Sequence, residues 1–132
     1  MTRARVEAVA ADPVAAARLL EQAGRQLADA ESPALSPESS YTLAYQAALK
    51  ALIASLLAQG QRVSSGSGGH VVIIREGART LGLDQELSTR LDRMRRTRHA
   101  TFYDLDEVSA GMVKSALADT AAVVEAASAG RH

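Results

Sequence analysis

The segment Arg93-Met94-Arg95-Arg96-Thr97-Arg98-His99-Ala100-Thr101-Phe102-Tyr103-Asp104 concentrates side chains that could act on a phosphate. A guanidinium can grip a phosphate through two parallel hydrogen bonds, and an imidazole or phenol beside it can add a further bond or move a proton. On a helix Arg95 and His99 lie on one side. Leu87, Leu91 and Met94 form one apolar face, and the next turns of that face reach Arg98 and then Phe102. An arginine therefore stands where the pattern asks for an apolar residue. Arg93, Arg95, Arg98, His99 and Tyr103 are the candidate ligand-binding residues, with His99 and Arg98 the catalytic pair if the chemistry is phosphodiester cleavage. The competing reading is structural. Arginine-rich turns are commonly solvated faces, an inward arginine can pair with Asp104 or Asp106, and a lone histidine near a helix end often only packs.

Positioning these groups falls to helices. The chain has 132 residues, enough for one domain with a modest core. Apolar residues make up 47% but aromatic residues only 3%, so Ala, Leu, Val and Ile must fill that core. Fifteen basic residues balance fifteen acidic ones, so net charge alone does not argue for nucleic acid; locally, Arg90, Arg93, Arg95, Arg96 and Arg98 face only Asp92. With no cysteine, disulfides, thiolate nucleophiles and cysteine-held zinc are excluded. The three histidines are widely spaced and no carboxylate cluster has ligand spacing, so neither a metal nor a cofactor is expected. No apolar run is read as long enough to span a bilayer, and a cytoplasmic protein without membrane contact is expected.

Asp12-Pro13 opens a helix running to about Ala30, and Ser36-Pro37-Glu38 opens a long one running to about Gln61. Its apolar surface, with Tyr41, Tyr45, Leu49, Leu52, Ile53, Leu56 and Leu57, is broad enough to predict contacts on more than one side. The stretch from 63 to 69, rich in Ser and Gly, reads as a mobile connector; it lacks the spacing and the Lys-Ser/Thr ending of a phosphate loop. Residues 70 to 81 predict a short helix, with a strand over 71–74 left open by its run of Val and Ile. Asp84 caps the arginine-bearing helix, and a last helix carries Met112, Val113, Ala116, Leu117, Val123, Val124 and Ala127. The prediction is a single all-α domain over 1–132, an antiparallel up-and-down four-helix bundle with an additional short helix, with flexible ends at about 1–11 and 129–132.

From about Ser36 to Ala127 the order of features resembles the HEPN (higher eukaryotes and prokaryotes nucleotide-binding) family. The resemblance rests on Ala44-Tyr45-Gln46-Ala47-Ala48-Leu49-Lys50-Ala51, then Gly60, the Ser/Gly loop with His70, and Arg98-His99-Ala100-Thr101-Phe102-Tyr103. Ribonuclease members of the family are expected to carry a histidine general acid/base where this chain has Tyr103, and a phenol with a pKa of about 10 is a poor proton shuttle near neutrality. The resemblance implies a homodimer with a shared cleft between motif helices. It implies a module that contacts nucleotide or RNA phosphate, or a nucleotidyltransferase-like partner of the toxin-antitoxin kind, without efficient cleavage. The alternatives are a metal-independent endoribonuclease and a purely structural dimerisation adaptor.

Overall fold

The structure, a computed structural model, describes the backbone of residues 2–104 and 107–130 and the side chains of these except 101–104. Its helices are α1 (Pro13–Ala30), α2 (Pro37–Ala58), α3 (Gly69–Leu81), α4 (Gln85–Asp104) and α5 (Ala110–Ala129), with two short strands, β1 (Val6–Ala8) and β2 (Gln61–Val63). The domain is an all-α bundle, as the periodicity predicts.

The helix starts follow local chemistry. Asp12 accepts from the Ala15 amide at 3.0 Å, Ser36 from Ser39 at 3.2 Å, Asp84 from Leu87 at 2.7 Å and Ser109 from Met112 at 3.1 Å. Each satisfies an amide that the helix cannot. Residues 71–74 fall within α3, and Val72, Ile73 and Ile74 are buried, which settles the helix-or-strand question. Gly82, in the left-handed conformation at φ 67°, ends it.

Helix α2 is the shared wall of the core and packs against α1, α3, α4 and α5. Ala44, Ala47, Ala51 and Leu52 have no exposed surface. Small side chains let the neighbouring helices approach closely, and the Thr120 hydroxyl of α5, fully buried, donates to the Ala44 carbonyl at 3.0 Å. With so much of its surface covered, α2 is apolar nearly all round. It is long and apolar enough to cross a membrane by length and composition, contrary to the expectation that no such run exists, but most of its apolar stretch is buried within the bundle.

The N-terminal stretch, expected to be a flexible end over about 1–11, includes strand β1. Strands β1 and β2 pair antiparallel with Val6 opposite Val63, Glu7 opposite Arg62 and Ala8 opposite Gln61. Arg62 and Glu7 join across the ladder at 2.9 Å. The Ser/Gly connector, expected to be mobile, is tied to the same segment: Ala4 N–H donates to the Ser67 carbonyl at 2.9 Å and Ser64 N–H to the Arg5 carbonyl at 2.8 Å. A Cβ on Gly66, where φ is 146°, would lie 2.4 Å from the Thr2 carbonyl oxygen, so the N-terminal strand can approach only a glycine there. The connector delivers the chain into α3 at a defined place.

Candidate functional site

Leu87, Leu91 and Met94 are buried along α4, at 7%, 1% and 3% exposure. The next residue on that stripe, Arg98, is half-buried, at the point where the core gives way to solvent. There it lines a cleft of about 230 Å³ with Arg95 and His99 from the same helix, Tyr45 from α2, and Gly68, Gly69, His70 and Val71 from the start of α3. Three helices thus converge on one polar hollow.

The cleft's electrostatics are asymmetric. Arg95 is held by Asp92, one turn back, at 2.8 Å. Among the described residues Arg98 has no carboxylate within ion-pair distance. A half-buried guanidinium with no counter-charge among the described residues is suited to an anion. The His70 pKa lies below the ordinary histidine value, first through burial and then through Arg98 and Arg95.

On the opposite wall the Tyr45 hydroxyl and His70 Nδ1 are 3.0 Å apart, with ring centroids 5.8 Å apart and a 51° tilt. Tyr45 is only 2% exposed, and its burial raises the phenol pKa well above the usual value, with Arg95 and Arg98 pulling the other way. Tyr45 thus stays protonated at neutral pH.

Of the residues singled out from sequence, Arg95, Arg98 and His99 come together at the cleft. Arg93 does not: it is exposed and lines a separate groove between α4 and α5 with Tyr41, Arg90, Met94, Thr97 and Asp119. Two residues along a helix turn a side chain to the other side of the axis, which separates Arg93 from Arg95. Tyr103 lies within α4, but its side chain falls outside the described residues, as do the side chains of Asp104 and Asp106 offered as arginine partners. Tyr45 and His70 also line the site; the sequence offers them within the pattern of the family resemblance but not among the candidate ligand-binding residues. The available signal was a tyrosine on the inner face of α2, whose hydroxyl needs a partner once buried.

An apolar cavity of about 90 Å³ among α1, α2, α3 and α5 is lined by groups such as Leu20, Ala54 and Leu81 and by no ionisable side chain, so it offers no comparable chemistry. Comparison with known families matches the HEPN domain to residues 16–130, a span that contains every element of the cleft. No curated protein matches the chain.

Proposed function

Because the chain belongs to the HEPN domain family, we propose that it is a binding module whose cleft at the α2, α3 and α4 junction takes a phosphate of RNA or of a nucleotide. The observation that carries this reading is the half-buried Arg98 guanidinium, which has no carboxylate partner among the described residues and lines the hollow with Arg95, His70 and His99. A phosphate supplies negative charge and two acceptor oxygens that match the planar fork of the guanidinium. Binding proceeds without efficient cleavage, because the position expected to hold a histidine general acid/base holds Tyr103. Family membership further supports action as a homodimer that joins two such clefts.

The test is direct titration of the purified protein with labelled RNA and with nucleotides, over a range of salt, beside Arg98→Ala. The parent binds with affinity that falls as salt rises, and the variant binds far more weakly. Equal behaviour of the two proteins would defeat the reading. RNA cleavage by the parent that disappears in His99→Ala would replace it with the endoribonuclease alternative, and sedimentation of the parent as a monomer would remove the dimer.

A further inference from the structure

The α3 wall of the cleft carries chemistry that the arginines alone do not explain. The Tyr45 hydroxyl is both donor and acceptor, and among the described residues His70 Nδ1 is its hydrogen-bond partner. If Nδ1 were protonated and donated to the phenol oxygen, the phenol hydrogen would be buried without an acceptor on a side chain that is 2% exposed. The satisfied arrangement is the reverse: Tyr45 donates, and Nδ1 accepts. A neutral imidazole with Nδ1 as acceptor carries its hydrogen on Nε2.

His70 itself is exposed and lines the same hollow as Arg98. It sits in the first turn of α3, where the amides of Gly69, His70 and Val71 precede the first intrahelical bond, that from Val72 N–H to the Gly68 carbonyl at 3.1 Å. Gly68 supplies no side-chain cap to that turn. The α3 wall therefore carries neutral donors, while α4 carries positive charge.

We propose, resting on the phosphate-binding reading above, that His70 is a second phosphate-binding residue of the cleft, donating from Nε2–H to a phosphate oxygen held by Arg98, and that Tyr45 is the positioning residue that fixes the ring in this tautomer. The ligand class is a phosphate group with oxygens free to face both walls, as in a nucleoside monophosphate or a nucleic-acid strand.

The experiment combines nitrogen NMR of the His70 ring with titrations of inorganic phosphate, a nucleoside 5′-monophosphate and a short oligoribonucleotide lacking terminal phosphates. The parent shows the Nε2–H tautomer. Tyr45→Phe, folded by circular dichroism, shows a mixed tautomer and binds roughly three- to tenfold more weakly, the loss of part of one hydrogen bond. His70→Gln, whose amide nitrogen approximates Nε2, retains more binding than His70→Asn. Preference for the monophosphate over the oligoribonucleotide identifies a terminal phosphate as the ligand, and the opposite preference a strand phosphate. An Nδ1–H tautomer in the parent, or parent-like binding by Tyr45→Phe and His70→Ala while Arg98→Ala loses it, overturns this inference and leaves the phosphate reading standing. Failure of the parent to bind any of the three probes overturns both.

Discussion

Helix α4 is flanked by two hollows that share a plan and differ in charge balance. On each side a tyrosine of α2 lies buried beside arginines of α4: Tyr41 near Arg90 and Arg93, and Tyr45, one turn later, near Arg95 and Arg98. On the Tyr41 side Asp119 of α5 reaches across to Arg90 at 3.1 Å. Burial raises the Tyr41 pKa, the Thr97 hydroxyl draws it back, and Asp119 raises it while Arg93 lowers it, so acid and base both act on the phenol. On the Tyr45 side the polar partner is a neutral histidine, and Arg98 meets no carboxylate among the described residues. Arginine content does not distinguish a structural groove from a candidate site here. The presence or absence of an acid on the facing element does.

The largest expected effect tests that contrast directly. Arg98→Ala should weaken RNA or nucleotide binding on the order of a hundredfold, about 2.7 kcal/mol, whereas Arg93→Ala should change it less than about twofold. Affinities measured at one fixed salt concentration decide it; similar losses for both would show that the two sides form one diffuse basic surface.

The next effect breaks the cleft from behind. A Cβ on Gly77 would lie 2.8 Å from Leu52 Cβ, at the seam where α3 packs on α2. Because α2 is continuous core at that point, α3 must move, carrying His70 away from Tyr45. Gly77→Ala should cost about 1 to 2 kcal/mol by denaturant unfolding and weaken binding, while leaving the Arg90–Asp119 pair intact. Unchanged stability would mean that the α2–α3 seam yields more readily than its packing implies.

How much of this contrast was legible in the sequence depends on how local its causes are. Arg98 announced itself because Leu87, Leu91 and Met94 set a spacing that it interrupts, and Arg95 and His99 follow from the same helical geometry. The helix starts were readable from Asp12, Ser36, Asp84 and Ser109, each within one turn of the amide it satisfies. Arg93 lies beside the others in sequence, but the helix turns it into the groove that Asp119 lines. The Tyr45–His70 bond joins residues 25 apart, and nothing local states that α3 will lie against that part of α2. Strands β1 and β2 span only 3 residues each and come together from opposite ends of two intervening helices, so their pairing leaves no periodic trace long enough to recognise.

A smaller effect comes from removing the acid that distinguishes the Tyr41 side. Asp119 has a side chain only 13% exposed, but Arg90 is 43% exposed, so solvent screens the pair and its worth is below about 1 kcal/mol. Asp119→Asn should lower stability by no more than that and give the α4–α5 groove a weak, salt-sensitive affinity for phosphate, detectable as shift changes near Arg90 and Arg93. A groove that stays indifferent to phosphate would show that shape, and not charge balance, separates the two sides.

The smallest effect is a pH dependence confined to the Tyr45 side. The folded His70 pKa lies below the ordinary value of about 6.5, first through burial and then through Arg98 and Arg95. The unfolded chain therefore takes up a proton at this residue before the folded chain does. Stability should be at its full value above about pH 6.5 and decline as pH falls through the window between the unfolded and folded pKa values. His70→Gln, which cannot take up that proton, should flatten this part of the profile, and Thr97→Val on the other side should leave it unchanged. Urea unfolding midpoints across mildly acidic pH measure the difference. A parent whose stability rose on acidification would mean that the ring is stabilised as a cation, which the proximity of two guanidiniums and a protonated phenol should prevent.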